Sequence, residues 1–298
     1  MILKKFLEEN NFTRYIFSYF AVTLISFVFF TIISFLMLPL FFEVDWSNLS
    51  VFLNDYSNSS SVSALKFLQF FSCIGLFILP PFLFGYISDE KLDLNMKIDR
   101  RSVFLAIAII ILINPFVSYT YLLNQSIDLP EWMLFNDQNA QVITEAFLVM
   151  NSFPDLFINM LILAILPAVG EELVFRGFLQ KRLILFSKNP HLSIIIVAFI
   201  FSAIHMQFQG FLPRFFLGLV LGYFFHFSSN IWLPIIGHFI NNSLIVLLSF
   251  PALASKINID LLNMDKLITI EQALFSLSAA IVLFYLLKNN LENKLDKI

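Results

Sequence analysis

The sequence predicts an all-α polytopic membrane protein, one integral membrane domain over residues 1–298 built from about eight transmembrane helices. Three observations carry this. Charged residues make up 13% of the chain, where a soluble globular protein has ~25%. Hydrophobic residues make up 59%, and the 39 Phe among them suit lipid contact and helix packing better than a water-facing surface. The apolar residues also fall into long runs, and the charges gather between them.

Taken in order, Lys4, Lys5 and Arg14 precede a run over residues 15–42. That run exceeds the ~7–15 residues of a signal-peptide core and has no small-residue cleavage site, so it is expected to be kept as the first span. The second span is expected over residues 63–87, kinked at Pro80-Pro81, and the third over 102–123. The connection over 124–154 carries neither Lys nor Arg, and a short interfacial helix is expected within it at residues 141–150. The remaining spans are expected at 155–180, 191–206, 212–227, 232–250 and 270–287. Asn230-Ile231-Trp232 turns the chain into the seventh of them.

With eight spans the basic residues sort by side. Lys4, Lys5, Arg14, Lys91, Lys97, Arg100, Arg101, Lys181, Arg182, Lys188, Lys288, Lys294 and Lys297 fall on one side, and Arg214, Lys256 and Lys266 on the other. The positive-inside rule then places both termini in the cytoplasm. The net charge of −3 implies no nucleic-acid partner, because the charges cluster at the loops. Cys73 is the single cysteine, which excludes an intramolecular disulfide and a thiolate metal cluster and leaves a buried, inert thiol.

Chemistry centres on Glu171-Glu172-Leu173-Val174-Phe175-Arg176, three ionisable groups inside an apolar run. A charge at the bilayer centre costs at least ~2.5–3.5 kcal/mol, so such groups pair, face a bundle interior or react. Glu172 and Arg176 stand at i and i+4 and can pair. Glu171 lies about 100° round the helix and is left over for a site. The fifth span carries Phe201…His205, and the seventh carries His238 and Asn242 on one face. Counted from the cytoplasmic ends, His238 lies roughly 10 Å deep, Glu171 roughly 15 Å and His205 roughly 20 Å, which permits one shared level. The Gly218…Gly222 pair fits close helix packing. Pro167 removes a backbone bond just before Glu171.

Two chemistries use these groups. In one, Glu171 takes a proton from water, His205 orients that water or shuttles the proton, and His238 and Asn242 donate to an oxyanion. In the other, Glu171, His205 and His238 hold a zinc ion with water in the fourth position. There is no His-Glu-x-x-His motif, no Gly-x-Ser-x-Gly elbow, no deep Asp pair and no phosphate-binding glycine loop.

The ordered set Glu-Glu-x-x-x-Arg, Phe-x-x-x-His and His-x-x-x-Asn resembles the CAAX protease and bacteriocin-processing (CPBP, or Abi) family of intramembrane proteases. The motif residues are Glu171, Glu172 and Arg176, then Phe201 and His205, then His238 and Asn242. The resemblance covers about residues 156–248, expected to be the catalytic core. It implies an eight-helix fold with a cavity open to the cytoplasmic side. It also implies Glu171 as the water-activating base, His205, His238 and Asn242 as oxyanion groups, and Arg176 as support. The expected function is an endopeptidase acting on a membrane-associated or lipidated protein, in a prokaryotic plasma membrane. The alternative is a non-catalytic scaffold or bacteriocin self-immunity protein that binds a partner, and a channel or transporter is a weaker third.

Overall fold

A computed structural model describes residues 12–89, 92, 94, 95, 97–257 and 268–295. Lys4, Lys5, Lys91, Lys266 and Lys297, used above for orientation, lie outside them. Among the described residues nine main helices run α1 Phe12–Phe41, α2 Ser59–Ser88, α3 Arg100–Gln125, α4 Glu131–Leu148, α5 Phe153–Ser187, α6 Pro190–Ala203, α7 Phe211–Ser228, α8 Trp232–Ser249 and α9 Ile270–Leu295. Short helical turns at Trp46–Asn48, Leu49–Leu53 and Pro251–Ile257 connect them. No strand occurs among the described residues.

Seven helices are long and apolar enough to cross a membrane, and α6, with 14 residues, is shorter. It nevertheless belongs to the bundle. Ile194 and Ala198 of α6 face Gly222 and Gly218 of α7, so the two run antiparallel over nearly the same depth. Of the eight expected spans, seven are helices long enough to cross among the described residues, and the fifth corresponds to the shorter α6.

The burial pattern is that of a membrane protein. On α1 the buried residues include Thr23, Ser26 and Ser34, while Phe20, Ile25, Phe29, Ile32 and Leu36 are exposed. A helix in water would do the reverse. Here the apolar face meets lipid and the small polar residues meet protein, the arrangement expected where burial of apolar surface does not drive helix association. The chain is an integral membrane protein.

Several ends are set by local chemistry. Asn58 caps α2 by accepting from the Ser60 N–H, and Asp99 caps α3 by accepting from the N–H groups of Arg101 and Ser102. The Pro80-Pro81 pair does not break α2. The ring nitrogens cannot donate, and the turn before them widens to a π-helix over Ile74–Ile78, with the Leu79 N–H reaching the Ile74 carbonyl. The helix expected at residues 141–150 starts ten residues earlier and ends at Leu148. Pro130 and the acidic first turn at Glu131 open it. Trp132 then packs edge-on against Phe208, which holds this added stretch to the bundle.

The largest apolar core joins α3, α7, α8 and α9 through Ile109, Ile110, Leu221, Phe224, Leu233 and Leu287. A second core sets Phe175 of α5 against Val197 and Phe201 of α6. The α6–α7 approach depends on the absence of side chains: a Cβ at Gly222 would stand 2.8 Å from Ile194 Cγ2, and one at Gly218 3.1 Å from Ala198 Cβ. Gly222→Leu should therefore cost about 1–3 kcal/mol through overpacking. Thermal unfolding in detergent checks this, with Gly177→Ala as control, because a Cβ there meets nothing nearer than 3.5 Å. A wild-type melting temperature for Gly222→Leu would contradict the packing.

Candidate active site

The site is built on the middle of α5, where the backbone is irregular. Two π-helical stretches, Met160–Ile165 and Leu173–Gln180, flank the α-helical turns Leu166–Glu172. Pro167 has no N–H to offer the Leu163 carbonyl four residues earlier. That oxygen accepts instead from Asn242 Nδ2 of α8, at 3.2 Å. A proline in one helix thus gives the amide of another its fixed partner, and one N–H of that amide remains. Asn242 Oδ1 accepts from Asn241 Nδ2 at 3.1 Å.

Glu172, Arg176 and Gln180 form one buried polar row on α5, facing α7. Arg176 Nη1 donates to Glu172 Oε1 at 2.8 Å, and Nη2 donates to the Gly218 carbonyl at 3.0 Å. Gln180 Nε2 donates to the Gly222 carbonyl at 2.9 Å. The glycines that admit α6 therefore also bare carbonyls for this row. The Arg176 guanidinium lies 5.0 Å from the centre of the Phe201 ring, a cation–π contact favoured where water is absent.

Glu172 Oε1 has a second donor. His238 Nδ1 reaches it at 2.8 Å. Because an ionised carboxylate only accepts, Nδ1 carries the proton and Nε2 is left to face outward. His238 Nε2 lies 3.8 Å from Glu171 Oε2. The two adjacent carboxylates are thereby separated in role: the Glu172 side chain is 0% exposed and its Oε1 takes both donors, while its Oε2 is buried without a partner among the described residues, whereas Glu171 keeps 12% exposure.

His205 follows the end of α6, and its Nδ1 lies 2.7 Å from the Phe201 carbonyl oxygen. The Phe201 ring stacks edge-on against both His205 and His238, at 5.2 and 5.9 Å between centres. The Phe of the Phe-x-x-x-His motif is thus the shared wall between Arg176, His205 and His238. The structure joins Glu171, Glu172, Arg176 and His238 directly, while His205 reaches them across Phe201 and Asn242 is turned toward α5. Among the described residues no group of three or more His, Cys, Asp or Glu is gathered closely enough to hold a metal ion. Glu171 and His238 approach each other, but His205 does not complete a set with them.

Arg214, in the first turn of α7, lies within electrostatic reach of the candidate site, which sequence reasoning missed, since it counts there only as an outer-segment charge. Its charge is felt at both Glu171 and His205. Nη1 donates to Gln207 Oε1 at 2.7 Å, and Nη2 donates to the Gln207 carbonyl. The loop before it is clamped from two helices. Asn124 of α3 bonds Phe208 and Leu212, and Asp137 of α4 accepts from the Gln209 N–H. A cavity of about 200 Å³ beside Arg214 is lined by Tyr121, Asp137, Gln141 and Gln207, and one of about 320 Å³ reaches Leu173 from the Lys181 and His226 end.

Residues 153–244 match the family model described as type II CAAX prenyl endopeptidase Rce1-like. That stretch is of the CAAX-protease family. It runs from the first residue of α5 to just past Asn242 and contains every motif residue named above. Proteolysis is accordingly the general activity that the family assigns to this region. No curated protein and no solved structure matches the chain.

The buried row makes a stability prediction. Arg176→Ala strands Glu172 and should cost about 3–5 kcal/mol. Arg176→Lys keeps the charge but loses the fork to Gly218 and should fall between, as read by melting temperature in detergent. An Arg176→Ala protein that melts like the wild type would show that the pair is not structural.

Proposed function

We propose that the protein is an intramembrane endopeptidase in which Glu171 activates water to cleave a peptide bond of a membrane-associated protein or lipidated peptide. The observation that carries this is the unequal pair of carboxylates: Glu172 is consumed by Arg176 and His238, and Glu171 alone remains partly open, facing His238 Nε2. The 3.8 Å gap is too long for a direct hydrogen bond, so both atoms keep a lone pair or proton to offer one water between them.

In the proposed cycle Glu171 takes a proton from that water as the oxygen attacks the scissile carbonyl. Negative charge develops on the carbonyl oxygen, where the remaining amide N–H of Asn242 donates; His205 and His238, whose Nδ1–H groups face the Phe201 carbonyl and Glu172, donate there through Nε2 only when protonated. Glu171 then returns the proton to the leaving amine as the C–N bond breaks, and the carboxylate is restored. Arg176 acts at one remove, holding Glu172 and through it the His238 ring. The bundle is proposed to lie with both termini in the cytoplasm, in keeping with the distribution of Lys and Arg and with α6 pairing along α7.

The test compares the termini of membrane proteins and peptides from cells holding the wild type with those holding Glu171→Gln at equal protein level. A new terminus should depend on Glu171, and turnover of the substrate so found should fall by about 10²–10⁴ in the variant. Retained turnover would sink the base assignment. Chelation should leave wild-type turnover unchanged. Loss on chelation that zinc restores would favour the Glu171, His205 and His238 metal site instead. Matching terminus profiles would favour the non-catalytic binding protein.

A further inference from the structure

A second polar site lies away from the catalytic groups, where α2 and α5 begin. The two helices run parallel, since Gly170 of α5 abuts Phe77 of α2 while Lys66 of α2 and Asp155 of α5 line one cavity. Lys66 stands roughly 10 Å along α2 from Ser59, and Asp155 is in the first turn of α5, so both lie near one boundary of the bilayer.

Lys66 is 9% exposed. Its ammonium lies 5.6 Å from the centre of the Phe147 ring and within electrostatic reach of Asp155. Among the described residues it makes no hydrogen bond and no ion pair. A partly buried ammonium without an acceptor carries a desolvation cost, and Lys66 lines a cavity of about 250 Å³. Asp155 Oδ2 accepts from the Asn151 N–H at 3.0 Å and from Ser152 Oγ at 2.8 Å, and its Oδ1 accepts nothing among the described residues. Ser63 adds a hydroxyl, while Phe67, Phe70 and Ile158 supply an apolar wall. The cavity therefore offers one cation, one free carboxylate oxygen and a greasy flank, at headgroup depth.

We propose that this cavity binds the headgroup of an aminophospholipid, with the phosphate on Lys66, the primary ammonium on Asp155 Oδ1, and an acyl chain along Phe67, Phe70 and Ile158. A purely anionic headgroup would satisfy Lys66 but set its charge against Asp155. A quaternary ammonium lacks the N–H that Oδ1 requires. The same α2 face continues from Lys66 through Phe70 to Cys73, whose thiol feels the charge of Glu171. The lipid thus occupies one end of the seam that leads to the candidate active site. This site does not rest on the protease reading.

The test reconstitutes the full chain in nanodiscs of phosphatidylethanolamine, phosphatidylglycerol or phosphatidylcholine and measures co-purifying lipid by native mass spectrometry. Wild type should retain phosphatidylethanolamine over both others. Asp155→Asn should reduce that preference by about tenfold, the scale of one charge-assisted hydrogen bond; Lys66→Met should lower retention of all three lipids, which share the phosphate, and Lys66→Arg should keep both retention and preference. Equal retention of the three lipids would overturn the proposal. So would a preference for phosphatidylglycerol that ignores Asp155→Asn, or displacement of the lipid by inorganic phosphate in detergent, which would mark a simple anion site.

Discussion

One buried oxygen organises the centre of this protein. Glu172 Oε1 accepts from Arg176 Nη1 and from His238 Nδ1, each at 2.8 Å, and so ties α5 to α8. Arg176 extends the tie to α7 through the Gly218 carbonyl and to α6 through the Phe201 ring. Four helices thus converge on one carboxylate in a medium that offers no water to replace a lost partner. The arrangement also decides the chemistry, because it commits one of two neighbouring glutamates and leaves the other near an imidazole nitrogen with nothing else to bind.

The backbone around this point is shaped to allow it. π-helical turns on both sides of Leu166–Glu172 change the facing of side chains that a regular helix would space at 100° intervals. Pro167 leaves a carbonyl for Asn242. Gly218 and Gly222 let α6 close on α7 and at the same time expose the oxygens that Arg176 and Gln180 need. Departures from regular helix and small residues therefore serve the same end, which is to give polar groups deep in an apolar bundle partners, although Glu172 Oε2, Arg176 Nε and Gln180 Oε1 have none among the described residues.

Much of this was legible in the sequence. The i, i+4 spacing of Glu172 and Arg176 was enough to expect their pairing, and the depth count allowed Glu171 and His238 to meet. The spans were legible because apolar runs bounded by charges need no tertiary information. What was not legible depends on contacts between helices far apart in sequence. Nothing local says that His238 reaches Glu172 rather than only a substrate oxygen, or that Asn242 finds the carbonyl freed by Pro167. Arg214 read as a loop charge because its approach to Glu171 depends on the turn after His205. The length of α4 was underestimated because its first half is polar and packs through Trp132 onto a loop that sequence alone does not place.

The most direct measurement of the central claim is the ring protonation of His238. The chain has four His, so 15N-histidine labelling with a His238→Gln reference assigns its two nitrogens in a nanodisc spectrum. The account predicts a proton on Nδ1 in the wild type and a shift of that signal in Glu172→Gln, with the other three rings unchanged. A bare Nδ1 in the wild type, or a His238 signal indifferent to Glu172→Gln, would contradict it.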